Sequence, residues 1–266
     1  MEQSTHDRVR SIALAGACAA FVAVPNLGAL VGRGERTDRY DTVITPPSYA
    51  FVVWAPIFAG VVVATVTQVR GRDQETSRRT GWPLTGAYLT NTAWSLAAQT
   101  DRFAATPFLL PPAAAFAGVA HARLQRLATP GRATSVGTGL LLGWTALASA
   151  VNLAAGANLA GAGARSPRTV RSSAAGLLGV GGAVAAGVAA SRHGAGAVAV
   201  TSGWGLLTTA LSPARPGRVR LAAAAGFAAI TTGYALSRRA RRRPLGRVQR
   251  RPSGRVRRRP SGRVRR

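Results

Sequence analysis

The sequence contains no lysine, one cysteine and only eight acidic residues in 266 positions. The single cysteine, Cys18, excludes an intrachain disulfide framework. All 35 basic residues are therefore arginines, and 15 of them lie between Arg238 and Arg266. Because this tail carries over half of the formal net charge of +27, the rest of the chain does not have the charge of a basic nucleic-acid-binding domain.

Sequence patterns for catalysis or metal binding are also missing. The three histidines, His6, His121 and His193, are far apart, and none belongs to a His-Glu-x-x-His pattern. The glycine-rich run 179–182 lies inside an apolar stretch without a preceding strand, which indicates helix packing and not a phosphate-binding loop. Since no nucleophile–base set is present, we expect neither an enzyme nor a cofactor or metal site.

Apolar stretches of membrane-spanning length are present instead. A bilayer core of ~30 Å requires roughly 20 helical residues, and only helices and closed barrels satisfy every backbone polar group there. The stretches are continuous in Ala, Leu, Val and Gly and do not alternate, which favours helices over barrel strands. We therefore predict an all-α polytopic membrane protein with about eight transmembrane helices. The predicted spans are residues 11–31, 49–69, 82–100, 104–121, 134–155, 173–190, 194–211 and 219–237.

Charged residues are almost absent from these spans. Intramembrane charges usually mark ion or proton paths, so their absence argues against a proton-coupled pump and leaves a charge-free pore open. Outside the tail, the two sides of the membrane would carry equal numbers of arginines. The tail breaks this tie by the positive-inside rule. We expect a bacterial inner-membrane protein with both termini in the cytoplasm.

The arginine-rich tail, residues 238–266, contains a repeat. The octad that begins at Arg250 returns unchanged at Arg258, and a looser copy precedes both. Such a composition cannot bury a core, so we predict disorder. Anionic lipid headgroups are the expected partner beside a membrane. Nucleic acid is disfavoured because the tail has no aromatic residue to stack on a base. A repeat without a specific role remains an alternative.

Three polar-aromatic groups interrupt the apolar spans. The first is Pro46-Pro47-Ser48-Tyr49-Ala50-Phe51-Val52-Val53-Trp54, in which the two prolines predict an extended start to the second span. The second is Asn91-Thr92-Ala93-Trp94-Ser95, which places Asn91 and Trp94 on one helix face. The third is Trp144 with Asn152, about two turns apart in the fifth span.

These residues have two interpretations. Trp and Tyr collect at membrane interfaces, and Asn commonly forms hydrogen bonds between packed helices. Alternatively, the aromatic and polar side chains line a shared pocket between helices, which would suit a flat apolar ligand. The residues alone leave both interpretations open.

The three groups, in this order and on these helices, resemble the marker segments of the TspO/MBR family, the translocator or tryptophan-rich sensory proteins. The resemblance covers about residues 11–155 and implies a five-helix core in residues 1–160. Residues 161–237 would then form three additional helices, as in a similar branch from high-GC bacteria, followed by the tail, 238–266.

The resemblance implies binding, with transport or sensing, of a hydrophobic ligand such as a porphyrin, and porphyrin breakdown is an activity linked to the family. The residues that would line the pocket are Pro47, Tyr49, Phe51, Trp54, Asn91, Trp94, Trp144 and Asn152. The alternatives are a small transporter or permease of another class, and a membrane scaffold that acts through the basic tail. The small-residue pair Gly176 and Gly179 is compatible with a homodimer.

Overall fold

A computed structural model describes residues 2–32, 41–71, 74–100 and 102–242, which form eight α-helices and no strand. Each helix contains most or all of one predicted span, which confirms the predicted fold class. The helices are α1 (Glu2–Leu30), α2 (Trp54–Val69), α3 (Gln74–Gln99), α4 (Thr106–Leu124), α5 (Arg132–Leu159), α6 (Pro167–Ala190), α7 (Ala195–Leu211) and α8 (Gly217–Arg242). The last helix continues into the predicted tail, whose residues 243–266 lie outside the described residues, so their disorder stays a prediction.

Six of the eight helices are long and apolar enough to cross a membrane, with α2 counted together with the 3₁₀-helix Ser48–Val53 that precedes it. The other two are α7, which is apolar but has only 17 residues, and α3. Helix α3 is more polar because it lies inside the bundle, with 15 of its 26 residues buried. Most of its Thr and Ser side chains and Asn91 are buried, whereas its exposed side includes the apolar residues Trp82, Leu89 and Leu96.

The helices pack around α5, which contacts α2 and α4 on one side and α7 on the other. One core cluster joins α1 to α5 and includes Leu14, Ile57 and Tyr88. A second core cluster joins α5 to α8 and includes Leu177 and Ile230. The three C-terminal helices are therefore packed onto the first five through α5. The division of the chain into domains remains a prediction.

Successive helices run in opposite directions. The start of α1 and the end of α8 consequently lie at the same end of the bundle, which we call the terminal end. Asp7 there accepts hydrogen bonds from Arg10 and Arg78, both at 2.7 Å. At the opposite end, Gln99 Nε2 donates to the Val24 carbonyl oxygen at 3.2 Å and so links α3 to α1.

Glycines allow close approach of several helix pairs. A Cβ atom on Gly137 of α5 would lie 2.5 Å from the carbonyl oxygen of Gly60 on α2. A Cβ atom on Gly181 of α6 would lie 2.9 Å from Cα of Gly226 on α8. Within a membrane, where hydrophobic association between helices is absent, such backbone proximity supplies the packing. By contrast, Gly176 would meet nothing within 4 Å among the described residues, and the predicted homodimer stays a prediction.

Replacing Gly137 with alanine should separate α2 from α5. We expect the overpacked contact to lower the free energy of unfolding by about 1–3 kcal/mol, seen as a lower thermal midpoint of helical circular dichroism in detergent. Gly176→Ala is the matched control: it adds the same methyl group to α6 without a clash and should stabilise its helix by about 0.5–1 kcal/mol. Equal midpoints for the two variants would contradict this account.

Candidate ligand-binding site

The two prolines lead into a short 3₁₀-helix, Ser48–Val53, which continues directly into α2. Pro47 has the extended conformation that the sequence predicts, with φ −63° and ψ 155°. A 3₁₀-helix has three residues per turn, so every third side chain lies on the same face. Phe51 and Trp54 therefore point together into the bundle, while Tyr49 and Val52 share a different, exposed face.

A cavity of about 50 Å³ lies beside this face, between the start of α2 and helices α3, α4 and α5. We call it the aromatic cavity. Five of the eight predicted site residues line it, and they come from all three sequence motifs. These five are Phe51, Trp54, Trp94, Trp144 and Asn152. The remaining lining residues are Thr45, Pro46, Phe103, Leu110, Leu147, Ala148, Val151 and Ala155.

The aromatic rings of the cavity pack edge to face. The Trp144 ring centroid lies 5.6 Å from that of Phe51 and 6.1 Å from that of Trp54, with interplanar angles of 83° and 77°. Such geometry is the one that aromatic quadrupoles favour. The three side chains therefore hold one another in place along one wall of the cavity.

One hydrogen-bonded pair of side chains in the cavity wall joins the second and third sequence motifs. Trp94 Nε1 donates to Asn152 Oδ1 at 2.9 Å, and Asn152 Nδ2 donates to the Ala148 carbonyl oxygen at 2.9 Å. Both residues are buried, so this hydrogen bond ties α3 to α5 where water is excluded. It also fixes the orientation of the Trp94 ring in the cavity wall.

A second cavity, of about 210 Å³, lies on the other side of Trp54 and Trp94, between α1, α2 and α3. We call it the α1–α3 cavity. Asn91, another predicted site residue, lines this cavity and not the first. Its Nδ2 donates to the Ala87 carbonyl oxygen at 2.8 Å, while its buried Oδ1 has no hydrogen-bond partner among the described residues. Asn91 therefore places a buried, unpaired acceptor next to the α1–α3 cavity.

Two predicted site residues, Pro47 and Tyr49, line neither cavity. Tyr49 is 59% exposed and packs edge to face on Trp204 of α7, with ring centroids 6.4 Å apart. Its position follows from the three-residue period of the 3₁₀-helix, which turns it away from Phe51 and Trp54. Pro46, buried beside Pro47, lines the aromatic cavity instead.

Sequence reasoning missed other aromatic residues of the site. Phe58 stacks on Trp54 with centroids 5.4 Å apart, and Phe21 of α1 packs against Phe58 at 5.2 Å. Phe58 follows Trp54 by four residues, and this spacing places the two on one helix face. The sequence alone could therefore have predicted that Phe58 lies beside Trp54. Nothing in the sequence pairs Phe21 with Phe58, because the contact joins two helices.

The C-terminal helices hold the segment that closes the aromatic cavity. We call this segment, Asp41–Pro47, the cap. Arg215, between α7 and α8, donates to both carboxylate oxygens of Asp41 at 2.7 and 2.8 Å and to the Thr42 carbonyl oxygen at 2.9 Å. Val43 and Ile44 are buried in the core cluster of α5 to α8. The cap thus covers a cavity of the first five helices while its anchors lie in the last three.

Trp204 supplies a further anchor next to the cap. Its Nε1 donates to the Ala50 carbonyl oxygen of the 3₁₀-helix at 2.8 Å. A 3₁₀-helix of six residues has few hydrogen bonds of its own, so an external donor of this kind stabilises its position. Helix α7 therefore holds the backbone from which Phe51 projects into the aromatic cavity.

Replacing Arg215 with glutamine should loosen the cap. The variant loses the paired contact with Asp41 and the bond to Thr42, and hydrogen bonds to charged groups contribute roughly 1.5–3 kcal/mol each. We expect amide hydrogen exchange in residues 41–50 to accelerate about tenfold or more, measured by mass spectrometry. Arg218→Gln, an exposed arginine at the start of α8, should leave this exchange unchanged. Unchanged exchange in both variants would contradict the anchoring role.

Comparison with known proteins assigns the family. The family model described as TSPO-like protein matches residues 11–236. This match continues beyond residue 155, where the resemblance of the motifs ends, and includes α6, α7 and most of α8. No curated protein and no solved structure matches the chain. Because the family model matches most of the chain, this membrane protein belongs to the TSPO-like protein family, as its three motifs predicted.

Proposed function

We propose that this TspO-type membrane protein binds a flat hydrophobic ligand, of the porphyrin type, at the aromatic cavity. The observation that supports the proposal is the convergence of the motifs. Phe51, Trp54, Trp94, Trp144 and Asn152 are spread over a hundred residues of sequence, yet they line one cavity. Aromatic walls with few polar groups are typical of sites for apolar ligands.

The size of the cavity indicates how a ligand would enter. Small-molecule pockets typically measure ~300–1,000 Å³, whereas the aromatic cavity measures about 50 Å³. Trp54 and Trp94 form a wall that the aromatic cavity shares with the larger α1–α3 cavity. We infer that these two side chains move when a ligand binds and join the two cavities. A macrocycle would require helix movement as well.

The joined site would contain a polar contact for the ligand. The Asn91 side-chain oxygen is buried and lacks a hydrogen-bond donor among the described residues. Leaving a buried acceptor unpaired costs about 1–3 kcal/mol. An N–H or O–H group of the ligand would remove this cost, which favours a ligand that combines a flat apolar body with a hydrogen-bond donor.

We propose binding, with transport or sensing as its consequence, and no catalytic step. Titration of the purified protein with protoporphyrin IX tests the binding, because three of the five tryptophans line the aromatic cavity and report its occupancy by fluorescence quenching. We expect saturable quenching in the micromolar range. Ala155→Leu, which fills the cavity without removing a tryptophan, should weaken binding about tenfold or more.

The matched control is Ala115→Leu, on an exposed position of α4. It should bind protoporphyrin IX as the unaltered protein does. Asn91→Leu should weaken binding roughly threefold to tenfold if the ligand donates to its side chain. Equal, non-saturating quenching in all four proteins would mean partitioning into detergent micelles, and the proposed function would then be wrong.

We further propose that the protein lies in a bacterial plasma membrane with the terminal end in the cytoplasm. The arginines of the tail support this orientation by the positive-inside rule. The aromatic cavity, near the opposite end of the bundle, would then lie in the outer half of the membrane.

Single-cysteine labelling tests the orientation. Cys18 is the sole cysteine, so Cys18→Ala provides a cysteine-free background. Ala162→Cys, in the loop between α5 and α6, should react with a membrane-impermeant maleimide in intact cells. Thr129→Cys, in the loop between α4 and α5, is exposed at the terminal end and should react only after permeabilisation. The reverse labelling pattern would show the opposite orientation.

A further inference from the structure

A concave surface distinct from the two cavities lies on the outside of the bundle, between the start of α2 and helices α7 and α8. It is an open groove of about 780 Å³, which we call the α7–α8 groove. Val52 and Val200 on its walls are both 65% exposed, and Trp204, Phe227 and Tyr234 complete the apolar lining. All of its lining residues differ from those of the aromatic cavity, so the groove is a separate site.

The groove has the dimensions of one lipid chain. It follows α7 from Gly196 to Leu207, and eleven residues of helix rise about 16 Å. One leaflet is half of a hydrocarbon core of ~30 Å, so the groove is about as long as one leaflet is thick. Glycines keep it open: a Cβ atom on Gly196 would lie 3.3 Å from Tyr234 Oη, and one on Gly203 would lie 3.4 Å from the Phe227 ring.

Arginines collect at the end of the groove that faces the terminal end of the bundle. Arg238 is exposed and lies one helical turn beyond Tyr234, on the same face of α8. Near the end of α8, Arg241 Nη1 donates to the Arg192 carbonyl oxygen at 2.5 Å. The loop before α7 therefore lies next to the end of α8. Arg192 itself is exposed. Arg192 and Arg238 are therefore two exposed arginines at this end of the groove, each four residues from a lining residue, Gly196 and Tyr234 respectively.

These arginines lack acidic partners nearby in the sequence. All eight acidic residues of the chain lie at or before Asp101, so α4 to α8 and their loops contain none. Among the described residues no carboxylate pairs with Arg192 or Arg238, so the anion that complements their charge is expected from outside the chain. At the surface of a membrane the abundant anions are lipid phosphates, and each basic residue there contributes roughly 1 kcal/mol to binding them.

We propose that the α7–α8 groove binds one acyl chain of an anionic phospholipid, whose headgroup phosphate contacts Arg192 and Arg238. At hydrocarbon depth no water fills an open apolar groove, so a lipid chain is its natural occupant. The positive charge of the arginines favours lipids with a negatively charged headgroup. The site is independent of the proposed porphyrin binding, because it uses other residues and a different surface.

Quenching of Trp204 tests the proposal in the full-length protein. Bromine atoms on an acyl chain quench a nearby indole, and Trp204 lines the groove. Acyl-brominated phosphatidylglycerol and phosphatidylcholine are titrated in mixed micelles, and the Trp204 signal is obtained by subtracting a Trp204→Phe variant. We expect phosphatidylglycerol to quench Trp204 at a severalfold lower mole fraction than phosphatidylcholine does.

Matched variants separate the headgroup contact from the chain contact. Arg192→Gln combined with Arg238→Gln should reduce the preference for phosphatidylglycerol roughly tenfold to thirtyfold. Arg239→Gln, exposed on a different face of α8, is the control and should retain the preference. Val200→Phe should weaken quenching by both lipids because it fills the groove, whereas Val63→Phe, exposed on α2 outside the groove, should not.

Two results would overturn the proposal. Equal quenching by the two lipids, unaffected by the arginine substitutions, would mean that the groove holds bulk lipid without selecting a headgroup. A dimer in size-exclusion chromatography with light scattering that Val200→Phe converts to a monomer would mean that a second copy of the chain occupies the groove. Circular dichroism of each variant verifies that the fold is retained.

Discussion

The structure depends on one constraint, which is that lipid offers no hydrogen-bond partner to a polar group. Helices satisfy the backbone, and the polar side chains must then find partners inside the bundle. Many hydroxyls donate to the carbonyl oxygen four residues earlier, as Thr92 does to Tyr88 and Thr145 does to Leu141. Side-chain amides connect helices, as Gln68 of α2 does when its Nε2 donates to the Thr134 hydroxyl of α5 at 3.3 Å. Helix α3, which carries several of these polar side chains, accordingly buries 15 of its 26 residues.

The same constraint explains why the polar groups in the lining of the aromatic cavity are few and hydrogen-bonded. Within it, the Trp94 indole and the Asn152 amide satisfy each other, and apolar atoms make up most of the remaining lining. Asn91, one turn before Trp94, lines the α1–α3 cavity, and its buried side-chain oxygen has no hydrogen-bond partner among the described residues. The two asparagines thus have different roles: Asn152 stabilises the packing of α3 on α5, whereas Asn91 offers an acceptor that the described residues leave unused.

The C-terminal helices take part in building the site. Arg215 and Trp204 hold the cap and the 3₁₀-helix from the side of α7 and α8, and Ile44 of the cap is buried among residues of those helices. The 3₁₀-helix consequently has two faces that contact different parts of the bundle. Phe51 and Trp54 face the aromatic cavity, whereas Tyr49 contacts Trp204 and Val52 lines the α7–α8 groove. The two candidate sites are separated by this one short helix.

The sequence by itself determined the eight helices, because continuous apolar runs of bilayer length have one stable backbone conformation in lipid. It also determined the family, through three motifs in the correct order. Helical spacing predicted which residues of one motif share a face, and helix packing brought five of the eight predicted pocket residues from all three motifs to one cavity. Tertiary structure decided the rest: Tyr49 packs on Trp204, α3 buries 15 of its 26 residues, and Arg215 pairs with Asp41 across 174 residues. Contacts of this kind depend on how helices pack against one another, and local spacing contains no information about that packing.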